Sequence, residues 1–416
     1  MIPATSVVFD YLLPGAILAV VVLGHFGLWI WLYNRINAAG LKRKTIKRTE
    51  MAIVLACGLI PLGLLLIELR IHETTGLIES GNFGGKLSVL TKSYSIIAIL
   101  FAIAVAPFWI LDRPQFAISK NRFELMESED LKQLQHPKSN AALYIDGVSF
   151  RRMAKLPGNQ IVSLQRNRKR LLIDSLPDDL DGLRIAHLSD VHLTGQLSTS
   201  FYRLAIDWLS DQSPDLIVLS GDMVDYETAL QQIRPVFDGL YAPLGMYFIL
   251  GNHDKRLPVP TDVCDEFCAM GWTDLGIANA IARKGNTSIH LMGNELPWFQ
   301  RHPSSSEAEP ATESLKNFWR LGVSHSPDQF AWGIANRCKL LLCGHTHGGQ
   351  IRFPVIGPVV APSRYGARYA SGVFSRGETL MHVSRGISGV HPYRWGCLPE
   401  VSILELAARD RSVAPD

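Results

Sequence analysis

The stretch Leu183-Arg184-Ile185-Ala186-His187-Leu188-Ser189-Asp190-Val191-His192 decides how this chain is read. The short, mostly apolar run 183–189 predicts a strand, and it gives way at once to an aspartate and a histidine one residue apart. The same design recurs downstream. After the candidate strand 216–220 comes Gly221-Asp222-Met223-Val224-Asp225, and after 246–250 comes Gly251-Asn252-His253-Asp254. His325 follows 321–324, and Gly344-His345-Thr346-His347-Gly348-Gly349 follows 339–343. Every one of these strand ends delivers an Asp, Asn or His, and the carboxyl ends of strands are where open α/β sheets bind ligands. No cysteine stands among the donors. Carboxylate and amide oxygens with imidazoles suit Mn2+, iron or Zn2+ in a reactive site better than a structural zinc. A glycine at the sharp turns lets the backbone approach ions or phosphate.

Further candidate strands at 288–292, 379–383 and 401–406, and helical stretches at 199–210, 228–239 and 262–270, predict an α/β or mixed-sheet domain. The Ser/Glu/Pro-rich stretch 303–313 reads as a surface loop.

In this order, Asp-x-His, Gly-Asp-x-x-Asp, Gly-Asn-His-Asp, a single His and Gly-His-x-His resemble the calcineurin-like metallophosphoesterase superfamily, over about residues 170–408. The runs Leu183–Asp190, Gly344–Gln350 and Pro362-Ser363-Arg364-Tyr365-Gly366 are similar to a bacterial membrane-associated branch. That branch includes phosphodiesterases and UDP-2,3-diacylglucosamine diphosphatases. The resemblance implies a sandwich of two mixed β-sheets flanked by helices. It also implies that Asp190, His192 and His347 hold one metal, that Asn252, His325 and His345 hold a second, and that Asp222 bridges both. The ions would be two divalent cations, Mn2+, Fe2+/Fe3+ or Zn2+. His253 would donate a proton or hydrogen bond to the leaving oxygen, Asp254 would orient His253, and Asp225 would support the site from behind. Two cations about 3.5–4 Å apart can share a water, lower its pKa and so generate the hydroxide that attacks phosphorus. The expected reaction is hydrolysis of a phosphodiester or pyrophosphate, with a lipid-linked substrate such as UDP-2,3-diacylglucosamine in view. The rivals are a tethered phosphodiesterase or nucleotidase acting on a soluble substrate, and an inert metal-binding scaffold; the full ligand set and His253 argue against inertness.

Other residues carry plainer readings. His25, His187, His382 and His391 read as packing residues, as do Arg364, Arg368, Arg385 and Arg394, unless one of these arginines grips a second phosphate. Trp298 and Phe299 either close the core or line a lipid groove.

The chain has 416 residues, too many for one ordinary core, and its apolar excess is concentrated in the first 111. Three apolar runs, 11–33, 51–67 and 93–111, predict a bundle of about three transmembrane helices. The loop between the first two runs carries Arg35, Lys42, Arg43, Lys44, Lys47 and Arg48, which places that loop, and with three crossings the C-terminal domain, on the cytoplasmic side of the inner membrane. Residues 112–143 read as a charged linker and 144–416 as the catalytic domain. The basic cluster Arg151, Arg152, Lys155, Arg166, Arg168, Lys169 and Arg170 is either a solvated face or a contact for anionic headgroups. The net charge of +3 makes no case for nucleic acid. The six cysteines form no Cys-x-x-Cys pair and read as thiols in a reducing compartment.

Overall fold

The computed structural model describes residues 12–75, 87–111, 113–131, 144–301, 318–389 and 391–409. The chain divides into two compact units, Met1–Asp112 and Arg113–Asp416. The expected loop 303–313 lies outside the described residues.

In the first unit, α1 (Leu13–Ala38), α2 (Arg43–Thr75) and α3 (Val89–Leu111) cover the three apolar runs. Two of them, α1 and α2, are long and apolar enough to cross a membrane by length and composition. His25 packs among all three helices. Its Nδ1 lies 2.6 Å from the Tyr94 hydroxyl and its Nε2 2.9 Å from the Cys57 carbonyl. Gly24 lies against the Ala98 carbonyl with no room for a β-carbon, the small-residue contact that lets apolar helices pack closely.

The second unit is built on two mixed sheets. In the first, β1 (Phe123–Leu131), β2 (Leu164–Ile173), β3 (Arg184–Leu188), β4 (Leu216–Leu219), β5 (Met246–Phe248) and β6 (Thr273–Asp274) join β15 (Glu400–Ala408) in the order β1-β2-β15-β3-β4-β5-β6. The second takes β7 (Ala280–Lys284), β8 (Thr287–Asn294), β9 (Trp319–Ser324), β10 (Leu340–Cys343), β13 (Gly372–Arg376) and β14 (Thr379–Val383) in the order β13-β14-β10-β9-β8-β7. A short hairpin, β11 (Arg352–Phe353) and β12 (Gly357–Pro358), stands apart. Strands β3 to β6 run parallel, as do β8, β9, β10 and β14. Parallel ladders carry their loops at one end, which gathers the sequence blocks that follow β3, β4, β5, β9 and β10.

Side-chain alternation along each strand creates the layers. Ile185, Leu216, Val218 and Leu404 of the first sheet meet Ile289, Leu321, Leu340 and Leu380 of the second in one buried cluster. Ala186, Leu188, Ile217 and Phe248 point the other way, onto helices Thr199–Asp211, Ile233–Phe237 and Thr261–Ala269. Strands covered on both faces read as continuous apolar runs, which is why the sequence shows them plainly. The helix expected at 228–239 is a 3-10 turn, Glu227–Gln232, leading into Ile233–Phe237.

The stretch expected as a linker is instead structured over β1, and the C-terminal unit begins at Arg113 rather than 144; residues 132–143 lie outside the described residues. The cause is charge complementarity along one ladder. Glu124, Glu127 and Glu129 stand opposite Arg170, Arg168 and Arg166, with ion pairs at 3.4, 3.6 and 3.3 Å. Exposed pairs of this kind add little stability, but they select the register. Lys169, on the opposite face, is buried 3.3 Å from Glu400. Of the two readings of the basic cluster, the headgroup contact does not hold for Arg166, Arg168, Lys169 and Arg170, whose charges are paired within the sheet. Arg151, Arg152 and Lys155 are exposed.

Deleting residues 123–131 from the full chain should lower the thermal midpoint of the C-terminal unit and promote aggregation through the uncovered edge of β2. A true linker would leave the melting curve unchanged.

Candidate metal centre

The turns that leave the strands are strained. Asp190, His192, Asp222, His345 and His347 take φ values of 49°, 49°, 57°, 71° and 50°. Left-handed backbone costs a non-glycine residue of order 1–3 kcal/mol and collects at functional sites. Two glycines make room for the bends. A β-carbon at Gly251 would overlap Asp222 Oδ1, and one at Gly344 would overlap Ser189 Oγ and Asp190 Oδ2. Asp254 holds two of the turns together: its carboxylate accepts the backbone N–H groups of Asp222 (3.0 Å), Met223 (2.9 Å), Val224 (3.0 Å) and Gly251 (2.8 Å).

These turns bring all seven expected ligands together. The donor atoms of Asp190, His192, Asp222 and His347 lie within 4.8 Å of one another, and so do those of Asp222, His325 and His345. Asp222 belongs to both groups. Asn252 joins the second through its Oδ1, 3.2 Å from His325 Nε2.

Hydrogen bonds from behind hold the imidazole rings. His325 Nδ1 lies 2.7 Å from the Ser220 carbonyl and His347 Nδ1 3.2 Å from the Ser388 carbonyl. Carbonyls only accept, so the His325 Nδ1 carries a proton and its Nε2 faces inward, while His347 Nδ1 stands between the Ser388 carbonyl and, at 3.4 Å, the donating Arg394 Nη2. His192 Nδ1 is held by Asp225 Oδ2 at 2.8 Å. The result is a crowd of acceptors. His192 Nε2 faces His347 Nε2 at 3.2 Å, and His325 Nε2 faces Asp222 Oδ2 at 3.2 Å. Buried Asp222 Oδ2 and His345 Nε2 meet no hydrogen-bond geometry among the described residues. Such an arrangement is unfavourable unless cations lie among the donors. The residues therefore fit two divalent ions.

The protonation of the bare site has the same cause. Burial alone would lower His192 and His325, but Asp225 raises His192 to about 10 and Asp222 raises His325 to about 9. Burial works against ionisation of Asp190 and Asp222 too, yet the charges of His347 and His325 hold these carboxyls below the usual range. Burial, with His325 adding to it, pushes His345 down to about 3.

His253 sits beside this cluster, edge-on to the His192 ring at 4.5 Å. Its Nδ1 is bonded to Asp225 Oδ1, and Arg256 Nη1 lies 2.6 Å from the same nitrogen. Burial lowers His253 to about 4 against the raising effect of Asp222 and Asp225. Orientation of this ring falls to Asp225, whose two oxygens serve His192 and His253 separately. The expectation that Asp254 orients His253 is corrected: Asp254 spends its carboxylate on the four amides, and burial followed by the charge of Asp222 raises it to about 7.

The sequence reading missed the Ser220 and Ser388 carbonyls, because backbone acceptors leave no mark in residue type. Trp298 closes one side, its ring 4.7 Å from His345 and 5.3 Å from His325. His187 and His382 are buried between the sheets, Nδ1 to Nδ1 at 2.8 Å, as packing residues. Arg385 pairs with Glu400 at 2.5 Å, Arg394 is buried behind His347, and the exposed Arg364 lies 3.9 Å from Asp328.

Residues 183–349 match the family model for calcineurin-like phosphoesterases. The chain is 31% identical over 237 residues to the phosphodiesterase YaeI of Escherichia coli strain K12, covering 55% of this chain and 84% of that protein. It is 26% identical over 276 residues to the UDP-2,3-diacylglucosamine pyrophosphatase LpxG of Chlamydia trachomatis, covering 54% of this chain and 84% of that one. A transmembrane protein with a metallophosphoesterase domain from Danio rerio is 32% identical over 202 residues, 44% of each chain. The chain belongs to the calcineurin-like phosphoesterase family and is a metal-dependent phosphoric ester hydrolase.

Replacing Asp222 with Asn should abolish turnover and lower bound metal measured by elemental analysis, because one carboxylate serves both groups. Two ions retained per chain with a normal rate would refute the shared role.

Proposed function

We propose that this chain is a membrane-anchored phosphodiesterase or pyrophosphatase whose substrate is a lipid-linked phosphoester such as UDP-2,3-diacylglucosamine, cleaved at the cytoplasmic face of the inner membrane. One observation carries the reaction: buried Asp222 is shared by two ligand groups, with His253 Nε2 4.0 Å from its Oδ2. Support for the anchor comes from the apolar helices α1 and α2 and from the basic loop between the first two runs. In this reading α3 is the third crossing. The chlamydial relative, a UDP-2,3-diacylglucosamine pyrophosphatase, supports the substrate class.

Asp190, His192 and His347 would hold one ion, Asn252, His325 and His345 the other, and Asp222 both. When bound, the pair supplies Lewis-acid polarisation of the phosphoryl oxygens and lowers the pKa of the attacking water. The chain's own residues do the rest. Ser220, Ser388 and Asp225 hold the imidazoles in place. Trp298 keeps water from one side of the site. Asp225 holds His253 through Nδ1, and its negative charge favours uptake of a second proton from solvent at Nε2; that proton would then pass to the departing oxygen, leaving the ring neutral again.

His253→Ala should retain both metals and lose about 10²–10⁴-fold in rate on substrates with poor leaving groups, the span of general acid catalysis. The loss should shrink for bis-p-nitrophenyl phosphate, whose leaving group needs little protonation. Wild-type turnover of UDP-2,3-diacylglucosamine should exceed that of soluble cyclic nucleotides and dinucleotides. Preference for the soluble substrates would overturn the lipid assignment, and an equal loss across leaving groups with loss of one metal would make His253 a ligand.

A further inference from the structure

The β11–β12 hairpin follows directly from the metal-binding turn. Ile351 comes four residues after His347, and Arg352 Nε donates to the Gly348 carbonyl at 2.8 Å. Its tip is apolar and out in solvent: Val355 is 91% exposed, with Phe353 and Ile356 also exposed. Val355 adopts φ 66°. A β-branched residue in left-handed backbone is a genuine outlier, and glycine or asparagine would be the ordinary choice for such a turn. The strain is unrewarded inside the protein, since the isopropyl group touches solvent.

Two neighbours complete this surface. Gln115 Nε2 donates to the Val355 carbonyl at 3.0 Å, which ties the tip to the segment carrying Phe116, itself 65% exposed. The hairpin also shares a cavity of about 600 Å³ with Gly158 and Trp395. Gly158 leads back to the short helix Val148–Met153 and its exposed Arg151 and Arg152, with Lys155 just beyond. No ion pair engages these three among the described residues. An apolar tip on a unit that also exposes this positive charge complements the interfacial layer of an anionic bilayer.

We propose that the hairpin tip, with Phe116 and the basic helix, docks on the surface of the bilayer and presents the metal centre to amphiphilic phosphoesters in that leaflet. The inference rests on the anchored reading given above and extends it from the helices to the catalytic unit. The occupant is the lipid surface itself, since the exposed side chains at the tip are apolar and the exposed charge of Arg151, Arg152 and Lys155 is of the sign that attracts anionic headgroups.

The test uses the full chain in nanodiscs of phosphatidylethanolamine and phosphatidylglycerol, in a Cys268→Ser background that removes the exposed native thiol. An NBD label on Val355→Cys should be quenched by nitroxide lipids and shielded from aqueous iodide, whereas a label on Tyr241→Cys, exposed but outside the patch, should show the reverse. Charge reversal at Arg151, Arg152 and Lys155 should cut lipid quenching at Val355 about twofold in anionic discs, given the attraction of each basic side chain to such a surface, and leave phosphatidylcholine discs unaffected. Iodide quenching at Val355 equal to that at Tyr241, with no nitroxide effect, would overturn docking. A third label, on Leu59→Cys in α2, reports the anchor independently: lipid quenching there without quenching at Val355 sinks the docking alone, and the opposite pattern sinks the anchor alone.

Discussion

Asp222 holds a buried carboxylate oxygen, Oδ2, to which no amide or hydroxyl donates among the described residues, and much of the C-terminal unit is arranged around that charge. A bare carboxylate in a protein interior is expensive unless cations or donors surround it. Here the surrounding groups are imidazole lone pairs and further oxygens, so the site is stable only when positive charge is supplied. The upward pull of Asp225 on His192 and of Asp222 on His325 is a mark of that demand. Divalent ions meet it with donor geometry already in place, because the rings are held from behind by Ser220, Ser388 and Asp225.

Holding such a cluster requires backbone that would not form unaided. The left-handed turns at Asp190, His192, Asp222, His345 and His347 are offset by bonds elsewhere. Asp254 collects four amides from two loops, and the Asp190 carboxylate accepts the backbone N–H of His345 at 2.9 Å. Parallel strands anchor both flanks of each turn, and the apolar layer between the sheets keeps those strands from shifting. Strain is concentrated where ligands are needed because the rest of the sandwich is tightly determined.

The catalytic blocks were legible in the sequence because each lies at the end of a strand buried on both faces, where residue type and position carry the message together. All eight candidate strands are present, and the seven ligand candidates converge. The edge of the first sheet was not legible. Strand β2 alternates arginine with residues that face the core, and β1 alternates glutamate with little apolar content, so each alone resembles coil; only their pairing makes both strands. The division of labour between Asp225 and Asp254 was hidden for a related reason. Both carboxylates flank the cluster, and which one meets His253 depends on loop geometry that spacing does not encode. In the N-terminal unit, composition marked three helices, of which α1 and α2 are long and apolar enough to cross a membrane.

The central claim is that one carboxylate organises two ions. Anomalous diffraction from crystals of the unmodified chain grown with Mn2+ tests it most directly. The account predicts two manganese peaks about 3.5–4 Å apart, the separation of two-metal sites, with the Asp222 carboxylate between them and His253 bound to neither. A single peak, or a pair that leaves Asp222 outside its coordination, would contradict it.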